Sequence, residues 1–332
     1  KWDESGAFTS LWDKENGRQV LKGRGNVLRI YEDKPMNYDA WDIDIFYGQK
    51  FEDIPACEIR CTEDGPLRMK ISFVYRYRAS LIEQELMVYS GNRRIDFATK
   101  ADWHEDHRLL KTLFEVDIRS TKASYDIQFG FVERPTHWNT SWDWARFEVC
   151  GHKWADLSEN GLGLSLLNDC KYGHSIKDGE MGLTLIKSGT YPNENADIGI
   201  HEFTYSIYPH KGRWQEARTV EMAYDLNSPL VSALVPAKGA GGFWSMVSVD
   251  QPDCFVEMMK KAENGNGYIL RIYENRNTRT PMTVKLGFEI SRVEECDLLE
   301  RTLRPIETDG YRFKDFIKPY EIKTYRICPV RA

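Results

Sequence analysis

The sequence predicts an all-β fold, and three observations support this prediction. Apolar residues alternate with polar ones along many short runs, of which residues 114–118 and 284–290 are the clearest, and such alternation places one face of a strand on a core. Turn sequences such as Glu63-Asp64-Gly65 separate these runs, and Asp-Gly suits hairpins because its backbone tolerates positive φ. Helical spacing is rare along the chain. An antiparallel sandwich or barrel is therefore expected.

Two local elements can be assigned from their patterns. Residues 8–21 (FTSLWDKENGRQVL) predict a hairpin, because Asn16-Gly17 lies between two strand-like runs. Residues 214–224 predict one short surface helix, because apolar residues recur there at intervals of three and four with charged residues between them. The rest of the chain is expected to be strands and turns.

The chain is predicted to divide into two domains. Residues 236–242 are rich in proline, glycine and alanine and have no periodicity, which is typical of a linker. The linker would separate a large β domain, residues 1–235, from a small β domain, residues 243–332. With 332 residues the chain is long enough for two cores.

Composition excludes several classes of partner. The net charge is −6 with both signs spread along the chain, whereas nucleic-acid binding needs a concentrated basic face. No run of 18 apolar residues occurs, so no membrane partner is expected. The seven cysteines are odd in number and sparse, which predicts reduced thiols rather than a disulfide framework and favours a cytoplasmic location.

Short catalytic motifs give little support for a complete active site. His104-Glu105-Asp106-His107 lacks the spacing of a helical zinc motif and predicts a turn or a solvated corner. No phosphate-binding loop and no nucleophile elbow occur. A glycosidase needs two facing carboxylates, which sequence cannot pair. Each acid is therefore expected to be a turn cap or an ion-pair partner, and the most notable acids are Asp39, Asp42, Asp44, Asp143, Glu148, Asp156, Asp169, Asp197 and Glu202.

Residues 134–158 (RPTHWNTSWDWARFEVCGHKWADLS) place large aromatic rings beside many polar groups. The four tryptophans of this stretch are Trp138, Trp142, Trp144 and Trp154. Flat rings match the apolar faces of sugars, and charged or amide groups match the hydroxyls. In a strand, Trp142, Trp144 and Arg146 would share one face, with Asp143 on the other. Sugar recognition and a packed aromatic corner remain equally open at this point.

Three long motifs resemble a known family. Residues 37–48 (NYDAWDIDIFYG), 128–173 and 201–210 (HEFTYSIYPH) resemble glycoside hydrolase family 38, the α-mannosidases, and are most similar to its cytosolic and bacterial branch. The resemblance covers essentially the whole chain and is weakest in the last 90 residues. It implies a galactose-mutarotase-like β supersandwich followed by a smaller β-sandwich domain.

The resemblance also implies a missing part. Enzymes of this family begin with a β/α barrel and a helical bundle, which carry the nucleophile and the zinc ligands, and nothing in this chain resembles those regions. Because the chain also begins at Lys1, close to a predicted hairpin, we expect it to be a piece of a longer protein. Accordingly, no catalytic residue, metal ligand or cofactor is predicted here, and zinc is expected in the intact enzyme.

The expected function is that of the C-terminal, non-catalytic portion of an α-mannosidase, which cleaves terminal α-D-mannosides with retention when intact. The expected partners are an α-mannoside or oligosaccharide, the missing catalytic barrel, and a second copy of the chain. Loops of the supersandwich are expected to reach the sugar pocket. The predicted substrate-binding residues are Trp142, Asp143, Trp144, Asp169, Lys171, Tyr172, Asp197 and His201.

Two alternatives stay open. The chain could be a free-standing carbohydrate-binding β protein, or a complete hydrolase with its own pair of acids. Under the main hypothesis most of the tryptophans of residues 134–158 are predicted to pack inside the supersandwich or against the missing barrel. Replacing Trp142 or Trp144 by alanine is then expected to cost several kcal/mol of stability.

Overall fold

The computed structural model describes residues 1–235 and 242–330. It contains two compact units, of which the first comprises Lys1–Asp126 and Val132–Leu230 and the second comprises Ile127–Phe131 and Val231–Ala332. The predicted linker, residues 236–242, lies outside the described residues except for Gly242. The division into domains of residues 1–235 and 243–332 therefore remains a proposal.

Most of the described chain before residue 212 is in strands. In chain order these are β1 (Trp12–Asp13), β2 (Arg18–Gln19), β3 (Leu21–Glu32), β4 (Phe51–Asp53), β5 (Ala56–Asp64), β6 (Arg68–Tyr77), β7 (Ser80–Tyr89), β8 (Ile95–Trp103), β9 (Arg108–Val116), β10 (Lys122–Ile127), β11 (Gly130–Pro135), β12 (Val149–Cys150), β13 (Trp154–Glu159), β14 (Leu162–Asn168), β15 (Gly173–Lys177), β16 (Glu180–Ser188) and β17 (Gly199–Lys211). The predicted all-β class is confirmed.

Two large antiparallel sheets form the first unit. One has nine strands in the order β11-β10-β13-β14-β17-β8-β7-β6-β5, and the other has six in the order β12-β15-β16-β9-β3-β4. Side chains from both sheets form one hydrophobic cluster, which includes Phe97 and Tyr205 from the first and Leu110 and Phe114 from the second. Two sheets that share one core make a sandwich, as predicted.

A buried polar network joins the two sheets inside this core. Asn26 on β3 accepts a hydrogen bond from the Tyr205 hydroxyl at 2.5 Å and donates one to Gln84 on β7 at 2.8 Å. Gln84 in turn donates to Thr99 Oγ1 at 3.0 Å. Because buried polar groups are costly without partners, this network favours one relative position of the sheets.

The predicted hairpin is confirmed, whereas the predicted helix begins and ends later than expected. β1 pairs antiparallel with β2, with Trp12 opposite Gln19. The second helix, α2, spans Thr219–Asn227 rather than residues 214–224. Arg218 has a φ of 61°, in the left-handed region, so the helix cannot extend back through it. Residues 214–217 form turns instead.

Residues 141–144 are helical, so the strand considered for Trp142–Arg146 is wrong. The first helix, α1, spans Ser141–Trp144. Thr140 and Asp143 form a capping box, in which the hydroxyl of Thr140 accepts from the Asp143 amide and the Asp143 carboxylate accepts from the Thr140 amide. A further single turn, the 3-10 helix η1, spans Ile45–Gln49. None of these helices within the described residues has the length and apolar character needed to cross a membrane.

The second unit is a smaller β-sandwich, as predicted. Its strands are β18 (Val247–Val249), β19 (Cys254–Lys261), β20 (Tyr268–Glu274), β21 (Thr280–Leu286), β22 (Ile290–Cys296), β23 (Thr302–Ile306), β24 (Arg312–Ile317) and β25 (Ile322–Pro329). They form a three-stranded sheet, β18-β21-β24, and a five-stranded sheet, β19-β20-β25-β22-β23. Val284, Leu286 and Ile290 lie in its hydrophobic cluster, which confirms the alternation predicted for them.

Candidate functional site

The two predicted substrate loops lie at the same end of the nine-stranded sheet. β14 pairs antiparallel with β17, with Asn168 opposite Tyr205. The loop that leaves β14, residues 168–173, therefore lies beside the segment that enters β17, residues 197–201. The structure thus brings together five of the eight predicted site residues, namely Asp169, Lys171, Tyr172, Asp197 and His201.

The loop after β14 is fixed by its buried residues. Asn168 is fully buried, its side-chain oxygen accepts from the Lys171 amide at 2.7 Å, and its side-chain nitrogen donates to the His152 carbonyl at 2.8 Å. Asp169 accepts from the Thr204 amide of β17 at 2.9 Å. The ammonium of Lys171 lies 4.4 Å from the ring centroid of Phe203. Asp169 therefore has a structural role, because its carboxylate accepts a backbone hydrogen bond from the neighbouring strand.

Of the remaining predicted residues at this sheet end, Tyr172 and Asp197 are exposed and His201 is half-buried. Tyr172 is 51% exposed and its ring lies 4.9 Å from that of His152. Asp197 has a φ of 60°, and its carbonyl accepts a hydrogen bond from Nε2 of His201 at 2.7 Å. Burial and Asp169 raise the pKa of the neighbouring Cys170 thiol to about 11. Tyr172, Asp197 and the exposed part of the His201 ring are thus accessible to a ligand.

The structure does not join α1 to this sheet end. Asp143 is used in the capping box and its carboxylate lies 3.7 Å from Nδ1 of His137. Trp142 is 75% exposed and Trp144 is 48% exposed, and within the described residues no hydrogen bond, ion pair or ring contact joins either to residues 168–173 or 197–201. The eight predicted substrate-binding residues therefore lie partly on α1 and partly at the end of the nine-stranded sheet.

Most of the four tryptophans do not pack inside the supersandwich, which corrects that part of the prediction. Trp154 alone among them is buried, at 1% exposure, and it lies 4.7 Å from the Trp214 ring. Trp138 is 36% exposed beneath the ammonium of Lys177, 3.5 Å from its ring centroid. An exposed ring forms no core contacts to lose, so the several kcal/mol expected for Trp142 and Trp144 within this chain cannot arise.

A buried charged cluster, which was not predicted from the sequence, fixes the base of the α1 segment. Leu110 and Phe114 of β9 face the sandwich core, so Lys111 faces the opposite side of the six-stranded sheet. Its side chain is nevertheless 1% exposed, because it forms an ion pair with Glu148 and donates to Ser175 Oγ at 2.8 Å. Tyr47 of η1 donates to the same Glu148 oxygen at 2.5 Å. We call Lys111, Glu148, Tyr47 and Ser175 the loop-base cluster.

The loop-base cluster ties two aromatic segments to one strand. Glu148 follows α1 by four residues, and Tyr47 belongs to the 37–48 motif, which carries Trp41 at 68% exposure. Burial and Glu148 raise the pKa of Tyr47, so it remains a neutral donor. A single lysine within the apolar run Leu109–Phe114 was the signal that could have revealed the cluster.

A second buried ion pair fixes the start of the 37–48 motif. Lys187 on β16 lies 2.5 Å from the carboxylate of Asp33, which is 1% exposed, and also donates to the Asp39 carbonyl at 2.9 Å. Asp39 accepts from the Thr190 amide at 2.5 Å and lies 3.4 Å from His107. Burial raises the pKa of Asp33 although Lys187 opposes it. The corner predicted at residues 104–107 is confirmed, and His107 serves there as a structural contact.

A buried histidine adjoins the loop-base cluster. His174 on β15 is fully buried, and neither ring nitrogen has a hydrogen-bond partner within the described residues. Burial, with the positive charges of Lys111 and Arg134, lowers its pKa to about 3. His174 is therefore neutral in the folded chain near pH 7.

The described residues do not provide a metal site. Nowhere in residues 1–235 and 242–330 do three or more His, Cys, Asp or Glu side chains gather in a way that could hold a metal ion. The residues present do not fit catalytic zinc, and no step is assigned to zinc in this chain. Asp33 and Asp39, which both lie near Lys187, are engaged by protein donors.

Comparison with known families decides the affiliation. Residues 1–195 match the model of the glycosyl hydrolases family 38 C-terminal domain, and residues 255–325 match that of the family 38 C-terminal beta sandwich domain. The chain belongs to glycosyl hydrolase family 38. The predicted family and the predicted place of this chain, in the C-terminal domains of that family, are both confirmed.

Relatives of this family 38 chain carry a consistent name. The chain is 39% identical over 97% of its length to alpha-mannosidase G of Dictyostelium discoideum. It is 38% identical over 91% of its length to human alpha-mannosidase 2C1. It spans about a third of the length of these relatives, 31% and 30% respectively. An alpha-mannosidase from Enterococcus faecalis has the same fold, with a TM-score of 0.78 at 16% identity, over 98% of this chain and 40% of that one.

Proposed function

We propose that this chain is the C-terminal portion of an α-mannosidase and supports the hydrolysis of terminal α-D-mannosides. The observation that carries the proposal is the 39% identity over 97% of the chain to a protein named alpha-mannosidase. In the retaining reaction, one carboxylate attacks the anomeric carbon and a second acid protonates the leaving oxygen. We assign both acids, and the zinc of the intact enzyme, to sequence that this chain does not include.

The proposed sugar contacts at the sheet end are Tyr172, which is exposed, and His201, which is half-buried. Tyr172 offers a ring face and a hydroxyl at 51% exposure, and His201 is oriented by its hydrogen bond to the Asp197 carbonyl. Lys171 adds a cation whose ammonium lies 4.4 Å from the centroid of the Phe203 ring. Asp169 positions this loop through Thr204 instead of meeting the sugar directly. Polar groups on a rigid sheet edge are suited to fixing the orientation of a substrate.

The aromatic residues over the six-stranded sheet are proposed to face the catalytic barrel or the glycan. Asp143 caps α1 between Trp142 and Trp144, and the loop-base cluster fixes the segment that follows. The seven cysteines, all within the described residues, are free thiols, which supports the proposed cytoplasmic location.

A chimera tests the proposed function. In alpha-mannosidase G of Dictyostelium, the matching 31% is exchanged for this chain, and hydrolysis of an aryl α-mannoside is measured. We expect an active enzyme, in which Tyr172→Ala or His201→Ala lowers kcat/KM by about tenfold, the loss of roughly one polar contact in the transition state. Trp12→Ala is the matched control, because Trp12 is 58% exposed on the distant hairpin of β1 and β2.

The results distinguish a direct contact with the sugar from structural support of the site. If the two sheet-end variants retain the activity of Trp12→Ala, these residues do not meet the sugar. If the unsubstituted chimera folds and is inactive, the proposed function itself is contradicted. Thermal unfolding of each variant shows whether a lost activity reflects lost structure.

A second candidate is a carbohydrate-binding β protein that acts without a barrel. The observation in its favour is that Trp142 and Trp144 are exposed on a capped helix rather than packed. It requires the chain alone to bind mannose or a mannose oligosaccharide, and it requires Trp142→Ala to abolish that binding. Calorimetric titration of the chain with mannobiose decides between the two candidates.

A further inference from the structure

The three-stranded sheet of the second unit has one face on the core and the other face in solvent. Val284 of β21 and Phe313 of β24 lie in the hydrophobic cluster of this unit. Because successive side chains of a strand point to opposite faces, Lys285, Arg312 and Lys314 share the solvent face, and all three are exposed. We call these three residues the outer-face cations.

The register of the sheet brings the outer-face cations close together. Lys285 lies directly opposite Arg312, and Thr283 lies directly opposite Lys314. Facing side chains of an antiparallel pair have Cβ atoms about 4.5–5.5 Å apart, and diagonal neighbours are separated by about 7–8 Å. Alternate residues of one strand, such as Arg312 and Lys314, are about 7 Å apart. At these separations three long side chains can all reach a single tetrahedral anion.

The fold itself does not account for this arrangement. Like charges in directly facing positions, such as Lys285 and Arg312, destabilise a strand pair. Within residues 1–235 and 242–330, none of the outer-face cations forms an ion pair or a side-chain hydrogen bond. By contrast, Arg304 borders the same surface and is paired with both Glu295 and Asp315. Three unpaired cations gathered in a chain of net charge −6 indicate a site for an anionic ligand.

The outer-face cations line an open groove of about 990 Å³. Other lining residues include Ser248 on β18 and the acids Asp250, Glu307 and Asp309. Since acids beside a cationic cluster would repel an anion, their state decides which anions the groove can accept.

Two of these acids have structural roles, and the third does not. The Asp250 carboxylate accepts from the Thr283 amide at 2.8 Å, and the Asp309 carboxylate accepts from the Arg312 amide at 2.8 Å. Glu307 is exposed and forms no hydrogen bond or ion pair within the part of the chain that the structure describes. An unengaged carboxylate is a strong acceptor for hydroxyl groups. The groove therefore offers a cationic cluster together with an acceptor for hydroxyls.

We propose that this groove binds the phosphate monoester of a polyhydroxy compound, such as a sugar phosphate. The phosphate lies among the outer-face cations, because lysine and arginine form strong charge-assisted hydrogen bonds to phosphate oxygens. The hydroxyl groups donate to Glu307. A bare phosphate gains only the contacts with the cations and is repelled by Glu307, so the ester binds more tightly than inorganic phosphate. None of these residues is assigned to the sheet-end sugar contacts, so the inference does not rest on the proposed function.

Calorimetric titration of the full chain tests the cationic part of the site. The probes are glucose 6-phosphate, inorganic phosphate and glucose. We expect glucose 6-phosphate to bind with a Kd of about 1 mM or lower, inorganic phosphate to bind more weakly, and glucose not to bind. Lys285→Gln, Arg312→Gln and Lys314→Gln should each raise the Kd for glucose 6-phosphate by about tenfold. Lys261→Gln is the matched control, because Lys261 is an exposed lysine on β19 of the other sheet, and it should bind normally.

Glu307→Gln tests the hydroxyl acceptor separately from the cations. It removes a charge that repels phosphate, so inorganic phosphate should bind at least as tightly as before. It also removes the charged acceptor for hydroxyls, so glucose 6-phosphate should lose its advantage over inorganic phosphate. The thermal unfolding midpoint should not fall in Lys285→Gln or Arg312→Gln, because each substitution relieves the facing pair of like charges. Weaker binding by these two variants then reflects a lost ligand contact and not lost structure.

Three results would overturn the proposal. If glucose 6-phosphate does not bind the unsubstituted chain, the groove is not a site for phosphate monoesters. If Lys261→Gln weakens binding as much as Lys285→Gln does, the ligand responds to the overall charge of the chain and not to this groove. If Glu307→Gln leaves the preference for glucose 6-phosphate over inorganic phosphate unchanged, the hydroxyl groups do not meet Glu307.

Discussion

The aromatic segments over the six-stranded sheet have buried charged residues at their base and exposed apolar residues farther out. At the base, Lys111 and Glu148 are charged, yet their side chains are only 1% and 10% exposed, and each has partners. Farther out, Trp41 and Trp142 are apolar, yet they are 68% and 75% exposed. The comparison teaches that buried charge holds these segments in place, whereas their large rings add little to the stability of this chain.

The largest expected effect concerns the base. Lys111→Met keeps the length of the side chain but leaves Glu148 as a buried unpaired acid, which should lower the free energy of unfolding by about 3–5 kcal/mol in urea titrations. Lys100→Met is the control, because Lys100 and Glu202 are 51% and 72% exposed at 3.6 Å, and it should change stability by about 0.5 kcal/mol or less. Equal stability of the two variants would mean that the loop-base cluster contributes nothing.

An intermediate effect concerns the pH dependence of stability. Because the pKa of His174 is about 3 in the folded chain and near its ordinary 6.5 when unfolded, the unfolded chain binds more protons between these values. Its contribution is full above pH 6.5 and is lost as the pH falls. Between pH 7.5 and pH 5 the unfolding free energy should drop by about 2 kcal/mol on this account.

The measurement is a set of urea titrations at pH 7.5, 6 and 5. The variant His174→Leu should lose this part of the pH dependence, since no group titrates at that position. The neighbouring charges that face His174 are those of Lys111 and Arg134. If His174→Leu retains the full decrease in unfolding free energy, that decrease arises from other titratable groups.

The smallest expected effect concerns the outer rings. Trp142→Ala should change the free energy of unfolding by about 0.5 kcal/mol or less, because its ring is mostly in solvent. Trp154→Ala in the same assay should cost about 3–5 kcal/mol, because its ring is buried beside Trp214. If Trp142→Ala lowers the free energy of unfolding of the chain as much as Trp154→Ala does, the outer rings contribute to stability and the comparison is wrong.

Much of the fold could be predicted because strand periodicity is a local property. Phe114, Val116 and Ile118 alternate in sequence, and all three lie in the core. The hairpin followed from Asn16-Gly17 in the same way. The α1 helix was missed because its decisive feature is a two-residue capping box, Thr140 with Asp143, inside a stretch whose rings suggested a strand.

The site was less predictable because it depends on which strands become neighbours. Residues 168–173 and 197–201 are adjacent only because β14 pairs with β17, and this pairing cannot be read from either segment. Lys111 and Glu148 are 37 residues apart in sequence, and Asp33 and Lys187 are 154 apart. The alternation along β9 puts Lys111 on the face away from the core, but it gives no sign that loops cover that face.

The most direct test of the central claim is the hydrolysis of an aryl α-mannoside by the purified chain, with and without a chelator, beside the Dictyostelium chimera. We expect no turnover by the chain alone and turnover by the chimera, because we propose that this chain supports a mannoside site whose catalytic groups lie in other sequence. Robust, chelator-resistant hydrolysis by the chain alone would contradict it.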